Sequence, residues 1–210
     1  MFLDNFKLCF WDFDGVIKDS VEIKTQAYFS LFETFGSDVA DKVRKHHAEN
    51  GGISRFDKIP IYLKWAGIES NEKIVNEYCK KFSKRVLQKV IDSPWVAGVE
   101  NYLHNNKYKQ TFVLVSATPQ DELEDIVEAL NLKECFSKVY GAPILKRDAI
   151  FKIIQDLNLE PSECLMIGDA RADLEAAIVN HVPFLLRRHK SNIEILNSYS
   201  GPSVGDFVQL

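Results

Sequence analysis

Apolar runs of strand length occur in two separated parts of the chain, with a long stretch of helical spacing between them. Lys7 to Trp11 reads Lys-Leu-Cys-Phe-Trp and stops at Asp12-Phe13-Asp14-Gly15, the pattern of a buried strand that ends in a charged loop. From Val21 the spacing is helical. Ala27, Leu31 and Phe35 share one face of a first helix that stops at Gly36, and Ile74, Tyr78, Phe82, Val86 and Val90 recur every four residues along a later one. Arg55 to Trp65 predicts a further helix after Asn50-Gly51-Gly52, and no strand is expected between Lys18 and Asp92.

Beyond Ser93-Pro94 and Gly98 the pattern changes again. Thr111 to Ser116, Lys138 to Tyr140, Cys164 to Ile167 and Pro183 to Leu186 read as strands, separated by helices near Asp121 to Leu130, Asp148 to Leu157 and Ala170 to Val179. Such alternation predicts βαβ units and a parallel sheet flanked by helices, an α/β class. The strand at Lys7 to Trp11 belongs to the same sheet, since a lone strand leaves its backbone groups unpaired. The expected organisation is an α/β core of residues 1–17 and 93–210, interrupted by a helical insertion of residues 18–92. Ser198 to Asp206 reads as a loop tail, and there is no internal repeat.

Composition narrows the partners. The 210 residues are 46% apolar and 27% charged, enough for a sizeable core, and 26 basic against 30 acidic residues leave a formal charge of −4. That balance gives no electrostatic reason to bind nucleic acid or an anionic membrane. No segment approaches the roughly 20 apolar residues of a membrane span, and the first residues lack the build of a signal peptide. Cys9, Cys79, Cys135 and Cys164 are scattered without a Cys-x-x-Cys pair and are expected as reduced thiols, with a disulfide framework as the alternative. A soluble, cytoplasmic protein acting on small molecules is the expectation.

In an open parallel sheet, functional groups collect at the carboxyl ends of the strands. Four such ends bear reactive side chains: Asp12 and Asp14; Ser116-Ala117-Thr118; Lys146, reached through Gly141-Ala142-Pro143; and Asp169, with Asp173 one turn later. Three carboxylates at one point raise each other's pKa values unless a cation compensates them, and oxygen ligands suit Mg²⁺. Open positions on such a metal suit phosphate oxygens, with Ser116 and Lys146 available for the others. Thr118 is expected to cap the following helix, with Pro119 in its first position and Asp121 completing a capping-box pattern, which aims backbone amides at the same anion.

These residues carry a resemblance. Phe10-Trp11-Asp12-Phe13-Asp14-Gly15-Val16-Ile17 resembles the first motif of the haloacid dehalogenase superfamily. Val113-Leu114-Val115-Ser116-Ala117-Thr118 resembles the second, Lys146 the third, and Met166-Ile167-Gly168-Asp169 with Asp173 the fourth. The similarity spans nearly the whole chain, and the helical insertion corresponds to the cap of β-phosphoglucomutase-like and phosphoglycolate phosphatase-like members. It implies a Rossmann-like core with a helical cap, and a Mg²⁺-dependent phosphatase of a small phosphorylated metabolite. In that pattern Asp12 attacks phosphorus and becomes a phosphoaspartate, while Asp14 protonates the leaving oxygen and then activates water. Asp12, the Asp14 carbonyl and Asp169 hold the metal, Ser116, Ala117 and Lys146 hold phosphate, and Asp173 orients the metal's ligands.

Repulsion between the two carboxylates is expected to help keep Asp14 protonated, while the metal works against that and the pair titrates jointly. Asn50 to Arg55 resembles a cap loop that reaches the active site, which makes Arg55 a candidate substrate contact. Lys24 stands where the mutase has a histidine, a departure that lowers the mutase reading, and is a second cap candidate or a solvated helix lysine. Adjacent His46 and His47 cannot face one site from a helix. A phosphosugar mutase and a non-catalytic binding protein on the same fold remain the alternatives.

Overall fold

Six strands form one parallel sheet in the computed structural model, which describes residues 2–209, without the side chains of 2 and 194–196. In chain order the elements are β1 (Leu8–Trp11), α1 (Val21–Phe32), α2 (Ser37–Glu49), α3 (Arg55–Trp65), α4 (Glu72–Asp92), α5 (Val99–Asn105), β2 (Thr111–Pro119), α6 (Gln120–Ala129), β3 (Lys138–Ala142), α7 (Lys146–Leu157), β4 (Cys164–Gly168), α8 (Arg171–Val179), β5 (Phe184–Arg187), α9 (Ile193–Ser198) and β6 (Ser203–Val204). The spatial order is β3-β2-β1-β4-β5-β6, every pair parallel. In this doubly wound order a ligand crevice lies outside the carboxyl ends of the strands where the winding reverses, between β1 and β4.

All four residues of β1 are buried, as expected of a central strand covered on both faces. Cys9 and Trp11 enter one apolar layer, while Leu8 and Phe10 enter the other, beside Ile150 and Ile153 of α7 and Ala176 of α8. The first layer runs without a break into the interior of α1–α4, through Tyr28, Phe32, Tyr62 and Phe82. The helical block and the sheet therefore share one apolar cluster. The chain passes between them at two places lying side by side: Lys18 bridges to Trp95, and the Asp19 N–H donates to the Pro94 carbonyl at 2.8 Å.

Several elements differ from the sequence expectation. Helix α2 was not predicted because it buries only Ala40, Val43 and His47, too few apolar positions to show a stripe. Helix α5 is only seven residues long. Ser203–Val204 falls in the expected loop tail yet forms β6, paired with the end of β5 through Arg188 N–H to the Val204 carbonyl at 2.7 Å. Two residues cannot display a period. Thr118 does not cap a helix: β2 continues to Pro119, and α6 starts at Gln120 without a side-chain cap.

The four free cysteines are buried at Cys9, Cys79 and Cys164 and half-buried at Cys135. Among the described residues, no helix is long and apolar enough to cross a membrane. Packing of the second layer against α7 and α8 makes Phe10 a sensitive probe of the sheet. Phe10→Ala is expected to cost about 3–5 kcal/mol in urea unfolding, and a loss below about 1 kcal/mol would contradict this packing.

Candidate active site

The registers bring the strand ends to one level. Trp11 is paired with Leu114 on one side and Ile167 on the other, and the Asp12 N–H donates to the Ile167 carbonyl at 2.9 Å. Asp12 and Asp169 therefore leave neighbouring strands together. On β2, the residues from Val115 to Pro119 span the same pairing as only Tyr140 to Ala142 of β3, so Ser116-Ala117-Thr118 bulge from the ladder. Gly15, at φ +77°, completes the loop after β1, where a Cβ would overlap the Asp169 carboxylate.

At the centre is the Lys146 ammonium, 2.6 Å from Asp12 Oδ1 and 2.5 Å from Asp173 Oδ1. Asp173 is fully buried, and its other oxygen accepts the Ala170 N–H at 3.0 Å and the Asp169 N–H at 3.3 Å. One lysine does not balance these carboxylates. Burial, then Asp173, pushes Asp12 well above the usual carboxylate range, although Lys146 pulls it back. The same causes raise Asp169 to about 8. Against its burial, Lys146 is held above the ordinary lysine value by Asp12 and Asp173.

Asp14 behaves in the opposite way. Ser20 Oγ donates to its Oδ1 at 2.6 Å, Lys24 Nζ to its Oδ2, and Thr118 Oγ1 lies 3.4 Å from Oδ2. Burial opposes the charge, but Lys24, Ser20 and Lys146 outweigh it and hold Asp14 below its ordinary value. Lys24 and Ser20 thus favour the ionised form of Asp14, against the expected effect of repulsion from Asp12. Lys24 also donates to Thr118 Oγ1 at 2.9 Å. It is tied into the site and is no solvated helix lysine.

The oxygens of Asp12, Asp169 and Asp173 lie within 4.8 Å of one another. A set of hard oxygen donors with surplus negative charge suits a divalent cation. Asp173 is saturated by Lys146 and two amides, whereas Asp12 and Asp169 each have one oxygen engaged, by Lys146 and by His189. His189 was missed by the sequence reading. Its Nε2 lies 2.7 Å from Asp169 Oδ2, and its Nδ1 accepts the Ser191 N–H at 3.2 Å. The ring proton is therefore on Nε2, and burial, then Arg187, lowers His189 to about 4 and keeps it neutral. Asn192 Nδ2 donates to the Asp169 carbonyl at 2.9 Å. Both residues follow β5, where the strand-end rule applies equally.

A cavity of about 300 Å³ lies over Asp12, Asp14, Lys24, Thr118, Asp169 and His189. At about 30 Å³ per water it has room for roughly ten waters, the scale of a small metabolite. The cap forms its roof: a Cβ on Gly52 would stand 3.0 Å from Ala172 Cβ and 3.8 Å from Lys146 Nζ. Ser116 and Lys146 line an adjoining cavity of about 510 Å³, and Ala117, Gly52 and Ile53 line both.

The pattern of residues 9–186 matches the family model for haloacid dehalogenase-like hydrolases. The chain belongs to that family. Among relatives of this haloacid dehalogenase-like hydrolase is a phosphorylated carbohydrates phosphatase of Thermotoga maritima, 21% identical over 80% of this chain and 78% of that one. Two solved structures share the fold. One is described as a predicted phosphoglycolate phosphatase from Haemophilus somnus, with a TM-score of 0.74, 20% identity and coverage of 97% and 96% of the two chains. The other, described as a predicted phosphatase from Clostridium acetobutylicum, has a TM-score of 0.73, 19% identity and coverage of 95% and 93%.

Arg55 lines the cavity, but its guanidinium is committed elsewhere. It pairs bidentately with Glu122 of α6 at 2.7 and 2.8 Å, reaches Ser83 Oγ of α4 at 2.5 Å, and lies over the Phe82 ring. This buried network clamps α3 and α4 to the sheet domain. His46 and His47 diverge as expected: His46 meets the Tyr62 hydroxyl, and His47 meets Lys58.

Two predictions follow from the buried charges. Glu122→Leu leaves Arg55 unpaired and is expected to cost about 3–5 kcal/mol in denaturant unfolding, most of it restored in Glu122→Leu/Arg55→Met; an unrestored double variant would contradict the clamp. Lys58, lowered to about 7 chiefly by burial, works in the other direction. Between about 7 and the ordinary 10.5 the unfolded chain holds this proton more tightly, so wild-type stability rises with pH in that window. Lys58→Met is expected to be about 1–4 kcal/mol more stable than wild type at pH 7, the advantage shrinking toward pH 10. A constant difference across that range would contradict the lowered pKa.

Proposed function

We propose that this protein is a Mg²⁺-dependent phosphatase that hydrolyses a small phosphorylated metabolite through a phosphoaspartate on Asp12. The observation that supports this reading most strongly is the contrast between two carboxylates two residues apart. Asp12 sits among carboxylates at the Lys146 ammonium, while Asp14 is held ionised by Lys24 and Ser20. One is placed to attack and the other to accept a proton.

Lys146 orients Asp12 and, with the Ser116 hydroxyl and the Ala117 amide, offers donors to phosphate oxygens. Asp12, the Asp14 carbonyl and Asp169 would hold the cation, which supplies positive charge that keeps Asp12 ionised as a nucleophile and neutralises the phosphoryl group. Asp173 positions Lys146, and His189 fixes the Asp169 carboxylate. In the first half-reaction Asp12 Oδ bonds to phosphorus as the bond to the ester oxygen breaks, and that oxygen leaves with a proton from Asp14, which has to take one up from solvent before this step. In the second, Asp14 removes a proton from water, whose oxygen bonds to phosphorus and releases Asp12. The helical block acts as the cap that keeps bulk water from the chamber. The protein's surroundings in the reading are the cytoplasm.

The test is phosphate release from sugar phosphates, phosphoglycolate and nucleotides, with and without Mg²⁺. Mg²⁺-dependent release is expected, abolished in Asp12→Asn and slowed about 10²–10⁴-fold in Asp14→Asn. Activity persisting in Asp12→Asn would identify another nucleophile, and phosphate appearing only on a second hydroxyl would make the protein a mutase.

A further inference from the structure

The roof of the cavity bears a cation that has no ion-pair partner among the described residues. Lys58 on α3 is 1% exposed, yet it lines the chamber. Among the described residues its ammonium has one hydrogen-bond partner, His47 Nδ1 at 3.0 Å, and no ion-pair partner. Arg55, three residues earlier on the same helix, is equally buried but receives Glu122 and Ser83. The fold thus neutralises one buried cation of α3 and leaves the other facing the cavity.

His47 strengthens the contrast. When Lys58 is charged it has only donors, so Nδ1 then accepts from it and the ring proton lies on Nε2. Burial, then Lys58, holds His47 well below the usual histidine range, so it is a neutral donor. Its ring is fixed by Tyr28, 4.6 Å away between centroids, which in turn stacks on Phe82 at 4.0 Å. Lys58 also feels the charges of Lys24, Asp14, Asp57 and Lys146, and Asp14 and Lys24 line the same chamber. A buried ammonium with spare donors, held beside a neutral donor and without a carboxylate in ion-pair contact, is stabilised by an incoming anion.

We propose that Lys58 and His47 form a subsite for a second anionic group of the substrate, a carboxylate or phosphate separated from the reacting phosphoryl group by a short carbon chain. This rests on the phosphatase reading and names the class of substrate: a phosphorylated short-chain acid or a bisphosphate.

The experiment compares three esters of one two-carbon skeleton: phosphoglycolate, ethylene glycol bisphosphate and ethylene glycol monophosphate. In the Mg²⁺-loaded wild type an anionic tail is expected to raise kcat/KM over the neutral one, and the better of the two anions identifies the tail. Lys58→Met is expected to reduce that preference about 10- to 100-fold, mainly through KM, with partial rescue in Lys58→Arg. An unchanged preference, or an equal loss on all three esters, overturns the subsite. Calorimetric binding of the anionic esters to Asp12→Asn protein, with and without Lys58→Met, separates the two readings. Lys58-dependent binding without wild-type turnover would leave the subsite standing and remove the phosphatase, whereas absence of binding overturns the subsite.

Discussion

The charge cluster at the mouth of the sheet is the constraint to which the rest of the molecule answers. Asp12, Asp169 and Asp173 are buried beside a single lysine, and burial of unbalanced carboxylates is costly. Their partners differ: Asp173 takes two backbone amides, Asp169 takes the His189 side chain, and Asp12 has Lys146. The residual charge is what makes the site useful, because it fits a hard cation and, through that cation, a phosphate. Gly15 is part of the same economy of space, since its missing side chain admits the Asp169 carboxylate.

The cap contributes its own charges to this centre. Lys24 reaches down from α1 to fix Asp14 and Thr118, making the proton-handling carboxylate depend on a residue of the roof. Arg55 clamps the roof to α6, and Gly52 seats it over Lys146. Chemistry and enclosure are therefore coupled: loosening the Arg55 clamp is expected to disturb Lys24 and with it the ionisation of Asp14. Lys58 is the exception among these cations, and its lack of a carboxylate is what directs attention to the substrate.

What could be read in the sequence was what is local. Asp12, Asp14 and Asp169 each follow an apolar run directly, so the change from strand to charged loop marks them, and the alternation after Gly98 reveals the parallel sheet. The partners that set their behaviour are remote in sequence. Lys24 meets Thr118 across 94 positions and Arg55 meets Glu122 across 67, and no periodicity encodes either pairing. The pull of Lys24 on Asp14 comes from the next element, ten positions on, and no pattern in the sequence marks it. His189 follows β5 without a motif that marks it, and β6 is too short to leave a pattern.

The central claim is that Asp12, set among buried carboxylates and oriented by Lys146, is the group that takes the phosphoryl. Acid quenching of the Mg²⁺-loaded enzyme during its first turnover, followed by mass spectrometry of the peptides, tests this most directly. The account predicts a transient phosphoryl adduct on the peptide that contains Asp12, absent in Asp12→Asn. Product formed in the first turnover with that peptide unmodified, or with the adduct on another residue, would contradict it.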